Sequence, residues 1–307
     1  MNFNKAQLGA IEHKDGAMLV LAGPGSGKTA VITHRTKNLI TKHHVKPSEI
    51  LVITFTKAAA NEMKERFNSL MKDERVNVSF GTFHAVFFTI LKYAYRFTSA
   101  NIADESVRYG FIREILSYYR LEYKDEFIGN LLAEISLIKN SRIHIENFYS
   151  GVCGEEIFRD IYKKYETRLK ENRLIDFDDM LSYTYELFNE RPDILALWQN
   201  KYKYILIDEF QDINRLQYEI IKMLAAPQNN LFIVGDDDQS IYRFRGSKPE
   251  IMLGFEKDYP DAKRILLDTN YRCGRYIVEA SLNLISHNRE RFDKKIIAAS
   301  KSKAPVT

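Results

Sequence analysis

The chain is poor in cysteine. Its 307 residues include only Cys153 and Cys273, in unrelated contexts and without neighbours at metal-ligand spacing. That argues against a disulfide framework and a cysteine-bound metal, and it fits a reducing compartment, which we expect to be the cytoplasm. Long apolar runs are also missing: none approaches the roughly 20 residues that span a bilayer. The opening Met1-Asn2-Phe3-Asn4-Lys5 has no secretory apolar core, so no membrane partner is expected. No internal repeat is present. Nor does one sign of charge dominate, because 45 Lys+Arg stand against 41 Asp+Glu, a net of +4. With 45% hydrophobic and 28% charged residues the composition is that of an ordinary globular protein, and the length leaves room for two domains.

The mild net charge hides an uneven spread. Residues 1–103 carry 14 Lys+Arg against 7 Asp+Glu, residues 104–190 carry 12 against 18, and residues 191–307 carry 19 against 16. The flanks are basic and the middle acidic, so a polyanion would prefer the flanks.

The chain is organised around Ala17–Thr29. An apolar run, Ala17-Met18-Leu19-Val20-Leu21, long enough for one buried strand, breaks into Ala22-Gly23-Pro24-Gly25-Ser26-Gly27-Lys28-Thr29. Helical spacing of Ala30-Val31-Ile32 and Leu39-Ile40 follows. Strand, glycine loop and helix make a phosphate cradle: glycines let backbone N–H groups turn inward, and the helix N-terminus adds partial positive charge. Lys28 can reach outer phosphates and the Thr29 hydroxyl can ligate magnesium. This is the P-loop pattern with Ala22 in the first glycine position. A glycine-rich turn that binds nothing would leave the flanking strand and helix unexplained.

Upstream, residues 3–14 read as a short helix with Asn4 as N-cap. Gln7 on that helix has an amide that suits an adenine edge, although surface glutamines are usually just solvated. Ile50–Phe55 reads as a strand, followed by a helix from Lys57 to Met71 with Ala58, Ala59, Met63 and Phe67 on one face. Val76–Phe80 alternates like a strand and ends at Gly81, and Thr82-Phe83-His84-Ala85 opens another helix. Phe55 and His84 thus follow strand ends, where ligands bind in parallel α/β sheets; core packing and a helix cap are the plainer roles for the pair.

Residues 86–190 are helical in pattern and rich in Tyr and Phe, far longer than an ordinary connection. They read as a helical insertion whose aromatics form its own core. Asp176-Phe177-Asp178-Asp179 resembles a metal cluster, but the expectation is that these acids cap the following helix. The α/β pattern resumes at Tyr204–Glu209, an apolar strand delivering two acids. Asp208 can hold magnesium and Glu209 can polarise an attacking water. Leu231–Gly235 is another buried strand, leading into Asp236-Asp237-Asp238-Gln239-Ser240-Ile241-Tyr242-Arg243-Phe244-Arg245-Gly246. Its three acids alone read as a solvated turn; its interleaved aromatics and arginines suit base stacking and phosphate contact. Arg264–Asp268 is the last strand of the set, followed by Thr269-Asn270-Tyr271-Arg272, an amphipathic helix to about Ser286, and a basic, polar tail.

Taken in order, Gln7, Ala22–Thr29, Thr54-Phe55-Thr56, Gly81–His84, Asp208-Glu209-Phe210-Gln211-Asp212, Gly235–Gly246 and Asn270-Tyr271-Arg272 resemble the N-terminal half of a UvrD/Rep-type (PcrA-like) DNA helicase of superfamily one. The likeness runs over essentially the whole chain. It implies an α/β fold: a RecA-like parallel-sheet P-loop NTPase domain in two parts, 1–88 and 190–272, an all-helical insertion over 89–189, and the start of a second motor domain over 273–307. It implies ATP and Mg2+ as cofactors. Residues 22–30 from Ala22 to Ala30 would cradle the phosphates, Gln7 would read adenine and Tyr271 would stack on it. Lys28, Glu209, Gln239 and Arg272 would be catalytic, Gln239 and Arg272 sensing the γ-phosphate, with Thr29 and Asp208 on the metal. Phe55, His84, Tyr242, Phe244 and Arg245 would line the path of single-stranded DNA. Two departures stand out: Phe244 replaces the family's usual tryptophan, and Lys57-Ala58-Ala59-Ala60 is a shifted form of the usual Asn-Lys-Ala-Ala.

The implied activity is ATP-driven 3′-to-5′ movement on single-stranded DNA with duplex unwinding, single strands and duplex–single-strand junctions being the partners. A second motor domain in cis would supply the other wall of the ATP cleft, so residues 1–307 alone are expected to bind ATP and DNA weakly and not to unwind; a monomer is expected. Two alternatives stay open on the sequence: a nucleotide-dependent DNA-binding module without motor activity, and the helicase part of a helicase–nuclease.

Overall fold

A computed structural model describes residues 2–72, 76–119, 124–240 and 247–300. Its centre is a parallel sheet of six strands: β1 (Met18–Ala22), β2 (Ile50–Thr54), β3 (Ser79–Thr82), β4 (Tyr204–Ile207), β5 (Leu231–Gly235) and β6 (Lys263–Leu267), in the order β3-β2-β4-β5-β1-β6. β1, β2, β4 and β5 are buried along their whole length, which is why they read as unbroken apolar runs rather than alternating ones. In the register, Leu21 lies beside Gly235 and Ile53 beside Ile207. The loops that leave β1, β4 and β5 therefore emerge together at the carboxyl edge, on either side of the point where chain order reverses.

The helices follow the same logic. α1 (Lys5–Glu12) starts at Asn4, whose side chain accepts from Gln7 N while the Gln7 side chain accepts from Asn4 N, a reciprocal capping box. α2 (Lys28–Thr41) follows the glycine loop, and α3 (Lys57–Leu70) is capped by Thr56. The buried face of α3 is Ala60, Met63 and Phe67; Ala58, expected on it, is exposed and Ala59 half-buried. The stripe is offset because Ala60 lies three residues before Met63 and seven before Phe67 and so shares their face, whereas Ala58 lies five and nine before them, on the far side of the helix.

The described chain divides into two compact units. The first takes Met1–Phe83, Leu195–Ile213 and Ile221–Thr307; the second takes His84–Ile194 and Asn214–Ile220. In the first unit, Met18, Val20, Val31, Ile32, Val52, Met63, Phe67, Leu206, Phe232 and Val234 form the core between sheet and helices. In the second, α4 (Phe83–Tyr95) leads into α5 (Glu105–Ser117), α6 (Asp125–Ser141), α7 (Glu155–Glu171) and α8 (Phe177–Glu190). Ile112, Leu116, Leu131, Ile135, Phe158, Ile161 and Tyr165 fill a separate apolar centre there.

Asp176 caps α8 as expected, in a capping box with Asp179. The acids have a second task the sequence does not announce. Lys139 is buried with its Nζ 2.9 Å from Asp176, 2.7 Å from Asp179 and 2.8 Å from Glu166. α9 (Pro192–Lys201) and α10 (Arg215–Ala225) flank β4 in sequence; α11 (Pro249–Leu253) and α12 (Phe255–Asp258) precede β6. After β6 come β7 (Thr269–Gly274), α13 (Arg275–Ile285) and β8 (Ile297–Ser300); β7 and β8 pair in parallel as a separate two-stranded sheet.

Candidate nucleotide site

The glycine loop is closed on itself. Ser26 donates through both N and Oγ to Gly23 O, at 3.3 and 2.7 Å. Gly25 and Gly27 hold positive φ, 64° and 87°, conformations that a side chain would strain. Gly27 is the N-cap of α2, and Val31 N donates to its carbonyl at 3.0 Å. The amides of the first turn of α2 have no intrahelical acceptor and point out of the helix end, where the dipole favours an anion.

Gln7 sits against this loop. Its Nε2 donates to Ser26 O at 3.0 Å and its Oε1 accepts from Asn4 N at 3.0 Å, with the residue only 5% exposed. The amide read from sequence as facing adenine is thus bound to the P-loop backbone and to its own helix cap. On the other side of the loop, Tyr271 N donates to Gly25 O at 3.0 Å. Tyr271 is half exposed, and its hydroxyl accepts from Asn4 Nδ2 at 3.1 Å. Asn270 Oδ1 accepts from the backbone of Arg272 and of Cys273, both at 2.8 Å, in a turn that brings Arg272 Cβ and N beside Gly25.

The acids at the end of β4 meet the loop. Lys28 Nζ lies 3.0 Å from Glu209 Oε2, although 181 residues separate them. Glu209 adopts a left-handed backbone (φ 51°), unusual for a residue with a side chain and worth about 1–3 kcal/mol of local strain. Burial pushes its carboxyl up, but Lys28 and a bond from Gln211 outweigh this and hold it below the usual glutamate value. Asp208 is buried; desolvation, with the Glu209 charge adding to it, pushes it up to about 7. Asp212 is pushed up to about 6 by burial and then by Glu209. Gln211 joins the two loops, donating to Glu209 Oε2 at 2.9 Å and accepting from Asp236 N at 3.0 Å. Gln239 in turn donates to Asp236 Oδ2 at 2.6 Å.

Among the described residues no cluster of three His, Cys, Asp or Glu is arranged to hold a metal unaided. The donor set instead suits magnesium, which is typically held by one or two carboxylates together with substrate phosphates. Two buried oxygens without hydrogen-bond partners, Thr54 Oγ1 at the end of β2 and Asp212 Oδ1, fit a polar, hydrated occupant.

The structure therefore gathers Gln7, the 22–30 loop, Asp208, Glu209, Gln239, Tyr271 and Arg272 at one edge of one unit. Phe55 follows β2 and is half-buried in the same unit. His84 begins the second unit, edge-on to Phe177, and burial pushes its imidazole below the usual value. Tyr242, Phe244 and Arg245 lie outside the described residues. The acids Asp236–Asp238, expected as a solvated turn, are instead largely buried: Lys294 Nζ reaches Asp236 at 2.5 Å, Asp237 at 2.6 Å and Asp238 at 2.8 Å. Burying three carboxylates requires a cation, and only the fold delivers one from so far along the chain. Gln211 and Lys294 were missed as site residues. The available signals were the amide inside Asp208–Asp212 and the spacing of Arg291 and Lys294 in the basic tail.

Comparison with known proteins gives a consistent picture. The model of the UvrD/REP helicase N-terminal domain matches residues 3–260. YjcD of Bacillus subtilis (strain 168) is 41% identical over 309 residues, covering 97% of this chain and 40% of its own length. The ATP-dependent DNA helicase PcrA of the same organism is 40% identical over 300 residues, and PcrA of Leuconostoc citreum 37% over 303, each with 95% of this chain and 40% of the relative covered. The chain thus spans about two fifths of the length of these relatives.

Proposed function

The chain belongs to the UvrD/REP helicase N-terminal domain family, and from that premise we propose that it is the ATP-hydrolysing part of a DNA helicase moving 3′ to 5′ on single-stranded DNA. The observation that carries the reading is the Lys28–Glu209 contact, which sets a phosphate-binding ammonium and a water-polarising carboxylate 3.0 Å apart at the edge of the sheet.

Lys28 and the first amides of α2 hold the β- and γ-phosphates, so polyphosphate competes with Glu209 for the ammonium. Glu209, freed toward the γ-phosphate, orients and deprotonates the attacking water. Thr29 and Asp208 would hold magnesium, which when bound would neutralise charge on the phosphates and favour ionised Asp208. Gln239 and Arg272 contact the γ-phosphoryl oxygens, where transition-state charge gathers. Tyr271 offers its half-exposed ring to the base, with Gln7 holding the loop and its remaining amide donor turned to adenine. Phe55, His84, Tyr242, Phe244 and Arg245 line the strand's path. A further motor domain in cis completes the ATP cleft and is required for unwinding duplex at junctions with single strands, so residues 1–307 alone hydrolyse slowly. The protein acts in the cytoplasm as a monomer.

ATP hydrolysis by this chain, with and without single-stranded DNA and beside Lys28→Ala, tests the proposal. Turnover stimulated by DNA and absent in the variant supports it. Turnover unaffected by Lys28→Ala sinks the assignment of this site. For the strand path, Phe244→Ala should weaken binding of a fluorescent oligonucleotide, and unchanged affinity removes Phe244 from the path.

A further inference from the structure

Lys294 is a deeply enclosed cation, with a side chain 1% exposed. Besides its three carboxylates, its neighbourhood is tied down twice more. Arg291 grips Asp238 through Nε and Nη2 at 2.7 and 2.8 Å, and Phe292 N donates to Asp237 Oδ2 at 2.8 Å. Every acid of the Asp236–Asp238 turn therefore bonds to the segment 291–294. Asp236 is the branching point. One carboxylate oxygen takes Lys294, the other takes Gln239 Nε2, and its backbone N–H donates to Gln211 Oε1. Gln211 continues to Glu209, and Glu209 to Lys28. An unbroken hydrogen-bonded path thus runs from Lys294 to the P-loop lysine.

We propose that Lys294 is a positioning residue for ATP hydrolysis: by fixing Asp236 it sets where Gln239 points and, through Gln211, where the Glu209 carboxylate sits. It touches neither nucleotide nor water. Its removal leaves two or three buried carboxylates repelling one another in the turn, which must open. Gln239 then loses its acceptor and Gln211 its fixed donor, while the loop from Gly23 to Thr29, held separately by Ser26, Gln7 and Tyr271, stays in place. The same path lets any movement of the 291–294 segment register at Glu209. The inference rests on the hydrolysis reading above for its kinetic consequence, but not for the path itself.

The test compares Lys294→Met and Lys294→Arg with the unaltered chain by two readouts. In amide hydrogen exchange, Lys294→Met should speed exchange in peptides covering 208–212 and 235–240 and leave α2 unchanged, with Lys294→Arg close to the unaltered chain. In steady-state hydrolysis, Lys294→Met should lower kcat about tenfold or more with KM for ATP within about threefold, because misplacing a catalytic group leaves binding intact, and Lys294→Arg should recover most of it. Faster exchange confined to 291–296, or a parallel rise across both units, overturns the proposal, as does an unchanged kcat. If the unaltered chain hydrolyses nothing, the functional reading fails while the exchange result still decides whether the path exists.

Discussion

Tyr271 N donates to Gly25 O at 3.0 Å, so the P-loop is bonded across its outer side to β7, a strand lying outside the main sheet. That approach is close enough to exclude a side chain. A methyl group at Gly25 would meet Arg272 Cβ at 2.6 Å and Asn270 Oδ1 at 2.9 Å, with φ already at +64°. Gly25→Ala should therefore push the loop and the 270–272 turn apart. We expect a loss of about 1–3 kcal/mol in stability. ATP affinity should fall at least about tenfold as the cradle opens. Thermal melting and titration with a fluorescent ATP analogue measure the two effects separately.

Glu209→Gln separates chemistry from binding. The amide keeps a polar contact for Lys28 and Gln211 but cannot take a proton from water. Hydrolysis should drop by about 10²–10⁴-fold. ATP binding, judged by equilibrium titration, should change by no more than about threefold. A variant that still turns over at the unaltered rate would remove Glu209 as the base.

The helical unit has its own point of weakness. Lys139 stands among Asp176, Asp179 and Glu166, so Lys139→Met leaves buried carboxylates without their cation. Removing one partner of a buried ion pair costs about 3–5 kcal/mol, and the same order is expected here. Urea unfolding followed by hydrogen exchange in α6 and α8 should show the loss there, with the sheet strands protected as before.

The turn at Asp238 sets a pH dependence. Burial pushes the Asp238 carboxyl up, but Arg291 and Lys294 outweigh this and hold it below its ordinary 3.8. Ionised Asp238 thus favours the folded state; its contribution is complete above that ordinary value and is lost as pH falls through the lower folded one. Lys294 behaves oppositely. Burial pushes it down, the Asp236 charge and the hydrogen bonds to Asp236, Asp237 and Asp238 together more than reverse this, and it sits above its ordinary 10.5, so its contribution is complete below 10.5 and is lost as pH rises beyond the folded value. The stability gap between the unaltered chain and Asp238→Asn should be steady from about pH 5 to 8 and shrink below about pH 4. Urea titrations of both proteins across that range measure it.

Local chemistry alone determined much of this protein. The five buried residues of β1, the glycines before Lys28, the Asn4 and Asp176 caps, and the acids after β4 were legible because each depends on neighbours within a few residues: burial on both faces, an orphaned helix end, a turn requiring positive φ. The parallel sheet follows, since apolar strands separated by helices have few other ways to bury themselves. What only the tertiary structure decided was pairing over distance. The Gln7 amide turned toward Ser26, Gln211 bridged two loops, and three aspartates that read as a solvated turn were buried around Lys294. Ser26 is 19 residues from Gln7, Asp236 is 25 from Gln211 and Lys294 is 58 from Asp236, and a carboxylate resists burial until the fold brings its counter-charge; that meeting is set by packing of the whole chain, which no local pattern encodes.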